Sequence, residues 1–247
     1  GEAFQNENDR EEIMTMMNNE KLGCLIIHGF GGGIFEIESL ADYLTDRDYI
    51  VACPKLKGHT GIGKDMKTAD YKDWINSAEA ELVKLMEKTQ NIAIIGFSMG
   101  GLIAVNLACK YDIKIIVTIN TPIYYWNLYR VGLNIFDDCK NRRANNIKRY
   151  IMAKNASPAI SMINFLRLLN STKTKLADIN CPFLILQTKD DDTTRLKSTN
   201  FIYDNIKSAE KGIILYEKGG HQVLSSSYKE KIIMDIEKFL NSRISSI

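Results

Sequence analysis

Short apolar runs alternate with amphipathic stretches along most of the chain. Leu22 to His28, Ile50 to Pro54, Asn91 to Phe97, Lys114 to Asn120, Phe183 to Thr188 and Gly212 to Tyr216 are rich in Ile, Val, Leu and Phe. Each is bounded by turn residues, the pattern of strands buried on both faces. Between them, Phe35 to Thr45, Tyr71 to Thr89, Gly100 to Tyr111, Ser198 to Ile206 and Tyr228 to Ile244 carry apolar residues three and four apart. That spacing gathers them on one helix face. Strand and helix alternating in this way predict an α/β domain, a mostly parallel sheet with helices on both faces.

One connection breaks the rhythm. Thr121 to Pro182 is about 60 residues long, whereas a helical crossover needs about a dozen or more. It holds an aromatic cluster (Tyr124, Tyr125, Trp126, Tyr129), a basic stretch from Lys140 to Arg149, and a helix start at Ser157-Pro158 leading to Leu169. We read residues 122–181 as a helical cap inserted into a core made of residues 21–121 and 182–247, with residues 1–20 as a polar N-terminal segment. The plainer alternative is a pair of ordinary crossover helices with long loops.

Composition narrows the class. With 247 residues, 45% hydrophobic and 25% charged, and only 4 Pro, the chain has the balance of a folded domain with a full core and not that of a disordered or collagen-like one. Thirty-two basic residues face 30 acidic ones for a net charge of +2, and the basic residues are scattered, so no nucleic-acid footprint is expected. No apolar run approaches the roughly 18 residues that span a bilayer, so no membrane span is expected. Gly1 to Asn19 is polar and acidic, without the basic and apolar regions of a signal peptide. The five cysteines are odd in number and lack CxxC spacing, which argues against a disulfide framework and a zinc site and favours free thiols in a reducing cytoplasm. None of these features fixes an oligomeric state.

The candidate chemistry centres on Gly96-Phe97-Ser98-Met99-Gly100-Gly101, set between a predicted strand and a predicted helix. A nucleophile elbow needs a sharp strand-to-helix turn with a strained serine backbone, and only glycine fits the crowded flanks. A glycine-rich turn with a capping serine is the bland alternative. A serine of this kind needs a base, and the chain has only 3 histidines. His28 and His59 precede the elbow, whereas His221, in Gly219-Gly220-His221, follows the last predicted strand at the edge where α/β sites gather. An acid between serine and histidine completes the chain order of such hydrolases. Asp190, Asp191 and Asp192 all meet that requirement, and a loop there aims one of them at the histidine while its neighbours face solvent or cap the next turn.

On these motifs the chain resembles an α/β-hydrolase of the bacterial carboxylesterase and monoacylglycerol lipase group, from Leu22 to Leu240. The resemblance implies Ser98 as nucleophile, His221 as base, and the backbone N–H groups of Phe30 (in His28-Gly29-Phe30) and Met99 as oxyanion donors. The family register, four residues beyond Gln187, implies Asp191 as the acid. Lys57-Gly58-His59 also matches, implying that His59 borders the cleft without transferring protons. Gly29, Gly31, Tyr124 and Trp126 join it as the expected substrate-binding residues, although the aromatics serve equally well to pack the cap. The chain departs from the family in Gly31-Gly32-Gly33, which implies a more mobile oxyanion loop, and in Asp192-Thr193-Thr194-Arg195 after the acid. The expected reaction is hydrolysis of small-molecule carboxylic esters of short to medium acyl chains through an acyl-enzyme, with no metal or organic cofactor. The alternatives are a monoacylglycerol lipase and a non-catalytic ligand-binding relative.

Overall fold

The computed structural model describes residues 21–62, 64–125, 138, 140, 141, 145, 148 and 159–244. Among the described residues six strands form one sheet: β1 (Gly23–Ile27), β2 (Ile50–Ala52), β3 (Ile92–Phe97), β4 (Ile115–Ile119), β5 (Phe183–Thr188) and β6 (Lys211–Tyr216). Their order is β2-β1-β3-β4-β5-β6, and every pairing is parallel. The α-helices whose bounds fall among the described residues are α1 (Glu38–Thr45), α2 (Tyr71–Met86), α3 (Met99–Ala108), α4 (Ala159–Lys175), α5 (Lys197–Asn205) and α6 (Lys229–Ile244).

Alternation along each strand sorts the core into two layers. Leu25, Ile27, Ile92, Ile94, Ile116 and Ile185 pack with α2, α3, α4 and α5 on one face. Their neighbours Cys24, Ile26, Ala93, Ile95, Val117 and Leu186 pack with α1 and α6 on the other. Because successive side chains of a strand point to opposite faces, a strand covered on both sides has to be apolar throughout, and β1, β3, β4 and β5 are buried at every position. Helix α3 is buried from Met99 to Leu107, so it is apolar all round and not merely on one stripe.

The chain leaves β1 for β2 on one side of the sheet and returns to β3 on the other. That reversal opens a crevice beyond the carboxyl ends of β1 and β3, where ligands bind in open α/β sheets. His28 to Phe30 follow β1 and Ser98 follows β3.

Two elements differ from the sequence expectation. The stretch predicted as one helix from Phe35 splits into a 3-10 turn at Ile34–Glu36 and α1 from Glu38. There Phe35 is 71% exposed while Glu36 is 5% exposed, the reverse of an apolar-in pattern. Helix α4, described from Ala159, runs past Leu169 to Lys175. It buries Phe165, Leu168 and Leu169 in the layer shared with α2 and α3, and Asn106 of α3 donates to Thr172 Oγ1 at 2.8 Å. Residues 1–20, and most of 122–158 in the expected cap, lie outside the described residues.

Candidate active site

Ser98 is the single residue between β3 and α3. Its backbone has φ 52° and ψ −119°, a conformation that costs of order 1–3 kcal/mol for a residue with a Cβ. Hydrogen bonds hold it there: Ser98 N–H donates to Ile119 O at 2.8 Å, and Ser98 O accepts from Gly101 N–H at 3.0 Å and from Thr121 Oγ1 at 3.1 Å. A Cβ on Gly96 would overlap the backbone of Gly100 and Gly101, and one on Gly100 would overlap the Ile27 carbonyl oxygen. The flanking glycines therefore let the turn close against the end of β1.

Ser98 Oγ lies 3.0 Å from His221 Nε2, and His221 Nδ1 lies 2.9 Å from Asp191 Oδ2. Asp191 Oδ1 also accepts the Thr193 N–H at 2.7 Å and the Thr194 N–H at 2.8 Å. With the carboxylate fixed as acceptor, His221 carries its proton on Nδ1 and presents an unprotonated Nε2 to the serine hydroxyl. Burial disfavours a charge on His221, yet the carboxylate of Asp191, supported by Glu36 and Asp192, raises its pKa above the ordinary 6.5.

The neighbouring aspartates depart from expectation. Asp190 Oδ1 accepts the Gly220 N–H at 2.8 Å and braces the turn before the histidine. Asp192 is only 3% exposed, because the turn that brings the Thr193 and Thr194 amides to Asp191 folds it inward. Thr193 Oγ1 donates to it at 3.1 Å.

The strand β1 side supplies the facing wall. Gly29 stands so close to the elbow that a Cβ there would lie 3.3 Å from Ser98 Cβ. Phe30 follows, its ring centroid 5.1 Å from Phe165, 5.6 Å from Trp74 and 6.2 Å from His59. Met99 opens α3, so its N–H has no intrahelical acceptor. His28 Nδ1–H donates to Gly29 O at 2.9 Å. Burial, reinforced by His28, pushes the His59 pKa down to about 4, so its ring is neutral at pH 7. Its Nε2 is buried without a hydrogen-bond partner among the described residues. Gly31, at φ 70°, is exposed on the outer part of the loop.

The aromatic expectations divide. The Tyr124 ring packs edge-on against Phe201 of α5 at 5.7 Å, with Lys197 Nζ 3.7 Å from its centroid. Its neighbour Tyr125 meets Phe165 at 4.9 Å, one ring away from Phe30. Both Tyr124 and Tyr125, with Ile123, Met162, Leu166 and Leu169, line a cavity of about 430 Å³, within the usual range for small-molecule sites. A larger cavity, about 580 Å³, lies at the other end of the sheet beside Lys114 and Pro182. Trp126 lies outside the described residues.

Residues 79–243 match the family described as BAAT / Acyl-CoA thioester hydrolase C terminal, and residues 18–129 match Serine aminopeptidase, S33. The chain is 30% identical over 228 residues to the thermostable monoacylglycerol lipase of Bacillus sp. (strain H-257), covering 88% of this chain and 89% of that protein. This chain belongs to the α/β-hydrolases, in their esterase and lipase group. A carboxylesterase of Bacillus subtilis (strain 168) is 23% identical over 223 residues, covering 87% of this chain and 91% of that one. A solved structure from work on two metagenome-derived lipolytic enzymes, LipS and LipT, shares the fold with a TM-score of 0.75 at 22% identity, over 90% of this chain and 94% of that one.

Sequence reasoning about this α/β-hydrolase missed three residues around the elbow. Asn120, at φ 49°, directly follows β4 and donates to the carbonyls of Gly220 and His221 at 3.0 and 2.9 Å, while its Oδ1 accepts the Thr188 N–H at 2.9 Å. Glu36 and Gln222 meet beside the loop that carries Gly29 and Phe30, with Gln222 Nε2 donating to Glu36 Oε1 at 2.7 Å. The apolar-face pattern of a helix start hid Glu36, and only the structure brings it to Gln222. Burial pushes the thiols of Cys53 and Cys181 up to about 11 and raises Cys24 as well, so these are poor thiolate nucleophiles at neutral pH.

Proposed function

We propose that this α/β-hydrolase is a carboxylesterase that cleaves small-molecule esters of short to medium acyl chains through an acyl-enzyme on Ser98. The observation that carries the reading is the continuous hydrogen-bonded line from Ser98 Oγ through His221 to Asp191, at 3.0 and 2.9 Å, on a serine with positive φ. His221 Nε2 takes the Ser98 proton as Oγ attacks the ester carbonyl, and Asp191 holds the tautomer and stabilises the imidazolium. The N–H groups of Phe30 and Met99 stabilise the oxyanion. His221 then returns the proton to the leaving alcohol, and water repeats the cycle on the acyl-enzyme. Gly29 leaves room for the ester beside Ser98, Gly31 shapes the outer loop, and neutral His59 walls the cleft. Tyr124, whose ring also packs on α5, lines the cavity offered to the acyl chain together with Tyr125.

A monoacylglycerol lipase is the second reading, favoured by the 30% identity to a protein of that name. The deciding experiment is a turnover profile of the purified protein across 4-nitrophenyl esters from acetyl to palmitoyl and across monoacylglycerols. We expect the highest kcat/KM on short to medium acyl esters. A maximum on long-chain monoacylglycerols moves the reading to the lipase. No turnover of any ester, with no phosphonate labelling of Ser98, identifies a ligand-binding relative.

A further inference from the structure

Glu36 is a buried carboxylate that the ester-hydrolysis steps do not use. It sits in the 3-10 turn Ile34–Glu36 with 5% exposure, and its two oxygens reach two different parts of the site. Oε2 accepts the Gly29 N–H at 3.0 Å, the amide immediately before Phe30. Oε1 accepts from Gln222 Nε2 at 2.7 Å, immediately after His221. The two segments lie at opposite ends of the sequence, and a second tie runs parallel to this one, Ser39 Oγ donating to Leu224 O at 3.3 Å.

The surrounding chain is shaped to admit this carboxylate. A Cβ on Gly32 would overlap Glu36 Cδ and both of its oxygens. Within the run Gly31-Gly32-Gly33, it is Gly32 that leaves the space the carboxylate fills. Gly29 is held from both sides, by Glu36 and by the elbow, since its Cβ direction points to Glu36 Oε2, Phe97 and Ser98 Cβ, each 3.3 Å away. A buried carboxylate is costly unless its oxygens are satisfied, and these donors satisfy it only while both loops are in place. Burial raises the Glu36 pKa above the ordinary 4.5, opposed by the Gln222 and Gly29 hydrogen bonds.

We propose that Glu36 is a positioning residue: its carboxylate fastens the segment bearing the oxyanion donor, Gly29–Phe30, to the segment bearing the base, His221–Gln222, so that both meet Ser98 in register. This rests on the roles proposed above for Phe30, Ser98 and His221. The clamp touches neither substrate nor reacting atoms. It acts through alignment, which governs rate more than ground-state binding when the misplacement is a fraction of an ångström to an ångström. Its charge also faces His221, alongside the carboxylates of Asp191 and Asp192.

The test compares wild type with Glu36→Ala, Glu36→Gln, Gln222→Ala and Ser98→Ala on 4-nitrophenyl butyrate, measuring kcat, KM and the thermal midpoint of each. Glu36→Ala is expected to lower kcat about tenfold to a hundredfold with KM within about twofold. Glu36→Gln keeps an acceptor for the Gly29 N–H, so it should recover part of that kcat, and the acidic limb of its kcat/KM profile should move to lower pH because one carboxylate facing His221 is gone. Gln222→Ala, on the exposed side of the clamp, should reproduce a smaller kcat loss with a nearly unchanged midpoint; it carries the test if Glu36→Ala does not fold. Wild-type kcat and an unmoved limb in the folded Glu36 variants, with Ser98→Ala inactive, would overturn the clamp and leave the catalytic reading standing. An active Ser98→Ala would overturn the catalytic reading itself.

Discussion

Asp191 accepts from His221, Thr193, Thr194 and, at 3.3 Å, Gln187, with no side-chain exposure. Such a set fixes both carboxyl oxygens as acceptors and makes Asp191 the orienting partner of the imidazole. Asp191→Asn would place an N–H₂ where the Nδ1–H now donates and favour the wrong tautomer, at a cost of up to about four orders of magnitude in kcat. Asp190→Asn keeps an oxygen for the Gly220 N–H and should retain most activity. Kinetics of the two variants side by side check this, and a crippled Asp190→Asn beside an active Asp191→Asn would contradict it. His221 must be neutral to act as base, and its pKa in the folded protein is raised despite burial, by Asp191 first and then by Glu36 and Asp192. Activity should therefore fall as pH drops through a value above the ordinary 6.5, read as the acidic limb of kcat/KM. A limb at or below that value would show that desolvation outweighs the carboxylates.

The elbow is the element on which the site depends. Gly100 packs on the Ile27 carbonyl with no room for a Cβ, so Gly100→Ala must drive α3 away from β1. The expected loss is about 3 kcal/mol together with most of the activity. Gly212, where a Cβ would make only an ordinary contact at 3.6 Å with Leu184, supplies the control: Gly212→Ala should leave the denaturation midpoint nearly unchanged. Equal midpoints for the two variants would contradict the packing argument. The elbow was legible in the sequence because its glycines answer a local steric demand. The 3-10 turn at Ile34–Glu36 was not, since an exposed Phe35 and a buried Glu36 make sense only once Gln222 is brought to Glu36 from the far end of the chain. Helix α4 outran its expected end because Thr172 is buried against Asn106, a partner that no local periodicity announces.

At the scale of the molecule, the switch in strand order between β1 and β3 lines up the Gly29–Phe30 segment and the elbow, and the carboxyl ends of β5 and β6 deliver Asp191 and His221 to the same edge. Alternating strands and helices made this sheet legible, because strands buried on both faces are apolar throughout. The choice among three adjacent aspartates was not legible from residue type, since it depends on how the turn after β5 folds back under Thr193 and Thr194. Tyr124 and Tyr125 posed the same difficulty: adjacent aromatics face different neighbours, and composition does not say which faces Phe165. On the proposed mechanism, ester turnover runs through a covalent acyl group on Ser98. The most direct measurement is peptide mass spectrometry on enzyme acid-quenched during turnover of a slowly deacylating ester. An acyl adduct is expected on the peptide containing Gly96 to Gly101, absent in Ser98→Ala, whose turnover should fall by about three orders of magnitude or more. An adduct on Ser225, Ser226 or Ser227 instead, or wild-type turnover in Ser98→Ala, would contradict it.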